Sequence, residues 1–254
     1  MPSAPVPATL WLVRHGESAA NVARNAALAA QSDDIGLDVA DAEIPLSPLG
    51  ERQATALGRW FAERPEGERP TVVIASPYER ARRTAARIVA AGGAAPAVTA
   101  EAQVGCDERW REKELGLFHD LTRWGVEARH PEQWALRQRL GPFYYRPPNG
   151  ESGADVAFRV RSALEAVAQN HPGERVLVVC HQIVILSARY VLDGLTVEQL
   201  GELWRQYDLA NCSVTTYRPA AAGRLALVQY NFTVPLEDEG APVTHEPVHP
   251  SPTA

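Results

Sequence analysis

The chain has 254 residues, 45% of them hydrophobic, so it can form one large domain or two small ones around a sizeable buried core. Its formal net charge of −6 argues against nucleic acid or an anionic membrane as the main partner. No apolar run is long enough to span a bilayer, no secretory signal pattern opens the sequence, and three scattered cysteines suggest no disulfide framework, so we expect a soluble cytoplasmic protein.

The first predicted strand is the apolar run at residues 10–13, which breaks abruptly into Arg14, His15 and Gly16. A cation and an imidazole are thereby delivered to the carboxyl end of a strand, where open α/β sheets bind ligands. Residues that suit the opening of a helix or a polar loop follow: Glu17, Ser18 and Asn21. This junction predicts an anion site whose imidazole could also act as a nucleophile.

Residues 21–43 begin as an alanine-rich helix and then turn acidic and irregular, which predicts a surface excursion. A helix is expected next, with Ser47 as its N-cap and Pro48 in its first turn, ending near residue 64.

The β-branched run at residues 71–75 predicts a second strand, and Ser76-Pro77 opens a helix directly after it. This junction repeats the first one and places Arg80 near the positive end of the helix, where it can face the same crevice as His15. Solvation or ion pairing is expected for the other arginines of this helix: Arg82, Arg83 and Arg87.

A further short strand is predicted around residues 97–100. The stretch from residue 106 to residue 150 is too long for a plain loop and too weakly periodic for a core layer, so we interpret it as a cap over the crevice. An amphipathic helix is predicted at residues 151–171, with an apolar face formed by Val156, Phe158, Val160, Leu164 and Val167.

The apolar strand at residues 176–180 ends in His181, much as the first strand ends in His15. Further elements are predicted in this order: helices at 183–194 and 196–206, strands at 213–217 and 225–232, and a disordered or draped tail at 233–254. The alternation of strands and helices predicts an α/β protein with a mostly parallel sheet covered by helices on both faces. We expect one domain over residues 1–232, with the cap as an insertion.

Four basic groups thus stand at strand ends or helix starts: Arg14, His15, Arg80 and His181. A phosphoryl group in transfer carries charge on its equatorial oxygens, so two arginines and a second imidazole would stabilise its transition state. His15 would attack phosphorus as a neutral imidazole that a carbonyl acceptor holds in one tautomer. The leaving oxygen needs a proton from a carboxyl group whose pKa is raised in the crevice; Glu112 is our candidate, and Glu114 is its competitor.

Four ordered motifs carry a resemblance to a known family: RHGES with Asn21 at 14–21, SPYERARRT at 76–84, REKELG at 111–116 and VCH at 179–181. Over about residues 8–217 the chain resembles the histidine phosphatase superfamily in its phosphoglycerate mutase-like branch. The resemblance implies a three-layer α/β/α sandwich and a phosphohistidine on His15, with no metal and no other cofactor. It also implies Glu112 as the proton donor and a phosphate pocket formed by Arg14, Asn21, Arg80 and His181.

Additional substrate contacts are expected from residues beside these motifs: Glu17, Tyr145, Arg146 and Gln182. For Tyr145 and Arg146, packing of the cap onto the sheet is an equal alternative, and Gln182 could instead cap the next helix. Cys180 is interpreted as a buried thiol, because neighbours on a strand point to opposite faces.

We expect a phosphatase that acts on phosphate monoesters of small metabolites. NGES at 149–152 and Cys180-His181-Gln182 resemble fructose-2,6-bisphosphatase, and the paired arginines of the cofactor-dependent mutases are not evident. A phosphoglycerate mutase-type transfer and a phosphate-binding protein without turnover are the alternatives. The expected partner is a small phosphorylated substrate, with no nucleic acid and no membrane, while the oligomeric state, a homodimer included, is left open.

Overall fold

The sheet forms from the apolar runs identified above. A computed structural model describes residues 6–95, 104–206, 209–220 and 223–245. Its strands are β1 Thr9–Arg14, β2 Val72–Ala75, β3 Val104–Cys106, β4 Arg175–Cys180, β5 Val214–Pro219 and β6 Leu225–Phe232. They lie in the order β3-β2-β4-β1-β5-β6. The strand predicted around residues 97–100 lies outside the described residues, and the edge strand β3 begins at Val104.

The direction of the strands decides which ends share an edge. β3, β2, β4 and β1 pair in parallel, with Arg14 of β1 opposite Cys180 of β4. β5 runs antiparallel to both of its neighbours, β1 and β6. The expected mostly parallel sheet is therefore confirmed, and the residues just before β5 lie at the edge where β1 ends.

The helices begin largely where the sequence predicts them. Their bounds are α1 Ala19–Ala29, α2 Pro48–Ala62, α3 Glu79–Ala90, α4 Arg123–Arg129, α5 Pro131–Tyr144, α6 Gly153–Asn170, α7 Gln182–Leu192, α8 Val197–Gln206 and α9 Val234–Asp238. The Ser47 hydroxyl accepts the Gly50 amide at 3.0 Å as the N-cap of α2, as predicted. Ser18 and Ser152 cap α1 and α6 in the same way.

Alternation along the strands produces three layers. Leu10 and Leu12 face a cluster formed with α6, α7 and α8, whereas Trp11 and Val13 face α2 and α3. Each fully buried Leu or Val of this kind contributes about 1.5–3 kcal/mol. The chain folds as the expected α/β/α sandwich.

Phe158 is an exception to the predicted apolar face of α6, since it is 78% exposed. The buried stripe runs through Val156, Val160, Leu164 and Val167, at steps of three or four residues. Phe158 lies two positions from its nearest members and so about half a turn around the helix, which directs it to solvent.

The acidic excursion after α1 is tied to the cap. The Thr122 amide donates to the Asp33 carbonyl at 2.9 Å, and the Ile35 amide donates to the Asp120 carbonyl at 2.9 Å. Thr122 also caps α4, the first helix of the cap. The predicted surface excursion is therefore hydrogen-bonded to the cap at two points.

Residues 233–245 of the tail lie across α2. Leu236 is fully buried in the cluster of α2 and α3, and Gln53 Nε2 donates to the Pro242 carbonyl at 2.8 Å. Among the residues that the structure describes, there is no helix long and apolar enough to cross a membrane.

Candidate active site

The two strand-end histidines meet at the carboxyl edge of the sheet. Because β1 and β4 are adjacent, parallel and in register, His15 and His181 follow them at the same level. The His15 amide donates to the Cys180 carbonyl at 3.0 Å, and the two imidazole centroids are 5.1 Å apart. Both rings are buried, with His181 fully inaccessible.

His15 is held in one orientation. Its Nδ1 lies 2.7 Å from the carbonyl of Gly16, so Nδ1 carries the proton and donates, and Nε2 keeps its lone pair. The turn after β1 packs so closely against α2 that only glycine fits at position 16, since a Cβ atom there would lie 2.6 Å from the Gly50 carbonyl oxygen. Burial, then the charges of Arg80 and Arg14, holds the pKa of His15 well below its usual range. The imidazole is neutral at neutral pH.

His181 offers a second neutral ring. Its Nε2 lies 2.7 Å from Ser76 Oγ, just after β2, while Nδ1 is buried with no hydrogen-bond partner among the described residues. Burial is the main cause that depresses the pKa of His181, followed by the nearby charge of Arg80. The Tyr78 ring packs edge-on against it at 5.2 Å.

Two guanidinium groups complete the basic cluster. Arg14 is 2% exposed and donates through Nη1 to the Leu209 carbonyl. Arg80, the second residue of α3, is 5% exposed, and its Nη1 lies 2.9 Å from the Asp41 carboxylate. Both charges act on both histidine rings, so the four groups share one crevice.

Glu112 contributes a carboxyl group to this crevice. Its carboxylate accepts the Lys113 amide at 2.8 Å, and burial raises its pKa to about 7, against the opposing effects of that hydrogen bond and of Arg80. Its competitor Glu114 has a 46% exposed side chain that accepts the Tyr78 hydroxyl at 3.1 Å. A carboxyl group that titrates near neutral pH can donate a proton and take it back.

Asn21 and Gln182 lie close to the histidines. The Asn21 side-chain oxygen accepts the Ser18 amide at 3.0 Å and Asn211 Nδ2 at 3.3 Å, so a contact to an anion would come from its Nδ2. Gln182 is 4% exposed, and its Oε1 has no hydrogen-bond partner among the described residues.

The other expected substrate contacts are engaged elsewhere. The Glu17 carboxylate accepts the Ser47 hydroxyl at 2.6 Å and so ties the end of β1 to the start of α2. Tyr145 is buried in a small cap cluster and donates to Gln133 Oε1 at 3.0 Å. Arg146 pairs with Asp155 at 2.6 Å. These contacts favour the packing alternative for Tyr145 and Arg146. The hydrogen bond from Ser47 gives Glu17 a structural role, and a contact between Glu17 and substrate stays a prediction.

The three further arginines of α3 point away from the crevice. Arg83 and Arg87 both pair with Glu51 on α2, and Arg82 pairs with Glu79, as expected from the helix geometry. Cys180 is a fully buried thiol in the cluster of α6 and α7, and burial raises its pKa.

Several residues around the site were not predicted from the sequence. Ser76 could have been found, because it directly follows a strand at the same edge as both histidines. Asn211, which donates to the His15 carbonyl at 3.1 Å, depends on the antiparallel direction of β5. Asp41 depends on the path of the excursion, for which the sequence carried no signal. Among the described residues, no group of three or more His, Cys, Asp or Glu side chains is placed to hold a metal ion.

The chain is similar to known proteins in both sequence and structure. A sequence model described as "Histidine phosphatase superfamily (branch 1)" matches residues 10–233. The chain is 32% identical over 208 residues to "Probable phosphoglycerate mutase GpmB" of Serratia proteamaculans, which covers 81% of this chain and 82% of that protein. Mycobacterial glucosyl-3-phosphoglycerate phosphatase, solved with VO3, is 26% identical with a TM-score of 0.65, covering 88% of this chain and 99% of that one. The alpha-ribazole phosphatase of Shigella flexneri shares the fold at 20% identity and a TM-score of 0.67, covering 88% of this chain and 97% of that one.

Proposed function

This chain belongs to the histidine phosphatase superfamily, and on that premise we propose that it hydrolyses phosphate monoesters of small metabolites through a phosphohistidine on His15. The observation that carries the proposal is the state of His15. Its Nδ1 donates to Gly16, the charges of Arg80 and Arg14 act on it, and its pKa is far below the usual range. Such a ring presents an unprotonated Nε2 to a bound phosphoryl group.

The first step forms a bond between His15 Nε2 and phosphorus and breaks the bond from phosphorus to the ester oxygen. Arg14 and Arg80 offset the charge on the equatorial oxygens as the phosphoryl group moves, and neutral His181 donates a hydrogen bond to one of these oxygens. Glu112 gives its proton to the departing oxygen, so the alcohol leaves uncharged. A carboxyl group with a pKa of about 7 still holds that proton in a large fraction of molecules at neutral pH.

The second step reverses the roles. Water attacks phosphorus on the side that the alcohol vacated, and the Glu112 carboxylate accepts a proton from it. The bond between phosphorus and Nε2 breaks, which returns neutral His15 and releases inorganic phosphate. Each group is thereby restored to its starting state.

A mutase reaction is the second candidate, and the similarity to "Probable phosphoglycerate mutase GpmB" favours it. The same phosphohistidine would then be transferred to a second hydroxyl group in place of water. The similarity to glucosyl-3-phosphoglycerate phosphatase supports hydrolysis. Both reactions share the first step and differ only in the acceptor.

The test is a single-turnover reaction with p-nitrophenyl phosphate labelled with 32P. We expect an acid-labile, alkali-stable label on the protein that decays as inorganic phosphate appears. His15→Ala should lose the label and at least about 10³-fold of the turnover rate. Undiminished phosphate release from His15→Ala would overturn the proposal. A panel of phosphorylated metabolites then separates the two reactions, because a mutase yields an isomeric phosphate ester in place of inorganic phosphate.

A further inference from the structure

Asp41 contacts the crevice from outside the motifs that define it. It opens a short 3₁₀ turn, Asp41–Glu43, at the end of the excursion that is tied to the cap. Arg80 Nη1 donates to the Asp41 main-chain carbonyl at 2.6 Å and lies 2.9 Å from its carboxylate oxygen Oδ1. One residue therefore holds one guanidinium nitrogen with two acceptors.

These two contacts leave the Nε and Nη2 edge of the Arg80 guanidinium group available to a ligand. Both contacts use Nη1, and no described residue hydrogen-bonds Nε or Nη2. The Tyr78 ring lies 4.9 Å from the guanidinium carbon, which further restricts the plane of the group. The Nε and Nη2 hydrogens form the parallel pair that binds two oxygens of a phosphoryl group.

We propose that Asp41 is a positioning residue for phosphoryl transfer: it orients the Nε and Nη2 edge of Arg80 toward the phosphoryl group. The inference rests on the proposed function and adds to it a residue that touches no reacting atom. Its action is exerted through Arg80.

The charges around Glu112 give the inference a second readout, the pH dependence of turnover. The charged and titratable groups that face Glu112 are Arg80 from α3, Arg159 from α6, Asp41 from the 3₁₀ turn, Cys180 at the end of β4, and Lys113 through both its amide and its ammonium group. Burial is the largest cause of the raised pKa of Glu112, the two arginines oppose it, and Asp41 reinforces it. Removing the charge of Asp41 would act twice in one direction, because it takes away a like charge and leaves Arg80 uncompensated.

Asp41→Asn tests the inference, since it keeps the main-chain carbonyl and the side-chain shape but loses the charge. With an alkyl phosphate as substrate, we expect kcat to fall about tenfold while KM changes by less than about threefold, because orientation of Arg80 matters most in the transition state. The basic limb of the kcat profile should move to lower pH by about half a unit or more. Asp41→Glu keeps the charge but shifts the oxygen, so kcat should fall while the limb stays in place.

Glu43→Gln is the matched control, because Glu43 is an exposed carboxylate in the same turn. It should leave kcat and the pH profile unchanged. If Asp41→Asn does not fold, Asp41→Ser replaces it as the uncharged variant. An Asp41 variant that keeps the wild-type kcat and pH limb, or that behaves like Glu43→Gln, overturns this inference alone. Undiminished turnover in His15→Ala would overturn the proposed function instead.

Discussion

At the scale of single residues, the site combines titratable groups whose pKa values are shifted from their usual ranges mainly by burial. Two imidazoles next to two guanidinium groups remain neutral, because burial and the neighbouring cations both disfavour a further positive charge. Glu112 changes in the opposite sense, since burial disfavours its anion. His15, the proposed nucleophile, is therefore neutral near pH 7, and Glu112, the proposed acid, is partly protonated there.

Glu112→Gln should separate substrates by their leaving groups. The phosphorylation step is expected to slow by about 10²–10⁴-fold with an alkyl phosphate, which needs a proton on its leaving oxygen. With p-nitrophenyl phosphate, whose anion leaves readily, the burst of p-nitrophenol should slow far less, although later turnovers become slow. Stopped-flow measurement of both substrates checks this, with Glu114→Gln as the control. An equal loss with both substrates would remove Glu112 from the role of acid.

The wild-type pH profile follows from the same group. As pH rises through about 7, Glu112 loses the proton that the leaving oxygen requires, so kcat for an alkyl phosphate should decline on the basic side. The Glu112→Gln variant should lack this limb. A basic limb that persists in the variant would assign the decline to another group.

At the scale of elements, the tail is connected to the turn after β1 through the side chains of Asn211 and Gln53. Thr244 Oγ1 donates to Asn211 Oδ1 at 3.0 Å and accepts from Gln53 Nε2 at 2.9 Å. Asn211 in turn holds the His15 carbonyl, and Gln53 Oε1 accepts the Glu17 amide at 2.8 Å. The described part of the tail therefore braces the turn that carries His15.

Thr244→Val should expose this bracing. The isosteric change removes two hydrogen bonds, which should cost about 1–2 kcal/mol of unfolding free energy and lower kcat/KM several-fold as His15 becomes less well positioned. Urea titration and steady-state kinetics measure the two effects. Thr233→Val is the control, because its hydroxyl donates to the exposed Glu237 in the same tail. Equal effects from both variants would argue that the tail stabilises the fold without bracing the site.

At the scale of the whole molecule, the buried histidines couple stability to acid. Their folded-state pKa values lie well below the unfolded value of 6.5, so below about pH 6.5 the unfolded chain binds protons that the native state does not. Stability should fall as pH decreases, by up to about 1.4 kcal/mol per pH unit for each histidine. Glu112 acts in the opposite direction between its unfolded value of 4.5 and about 7, because there the folded state holds the extra proton.

Denaturant titrations between pH 7.5 and pH 5.5 should therefore show declining stability. The decline should become steeper in Glu112→Gln, which removes the opposing contribution, and shallower in His181→Gln, with the exposed His119→Gln as control. A slope that is the same in all three variants would show that other groups govern the acid sensitivity.

Local features of the fold could be predicted from the amino-acid sequence alone. Strand runs, the N-cap at Ser47, the two βα junctions and the motif order depend on residues that are neighbours in the chain, and the structure places these elements close to their predicted bounds. The convergence of His15, Arg80 and His181 also followed, because the carboxyl ends of adjacent parallel strands share an edge.

Contacts between distant segments could not be predicted and became apparent only in the folded chain. The direction of β5 brings Asn211 to His15, and the path of the excursion brings Asp41 to Arg80. The engagement of Glu17 by Ser47 and the burial of Tyr145 within the cap were likewise set by which surfaces pack together. Such contacts depend on register, side-chain direction and chain path over tens of residues, which local periodicity does not encode.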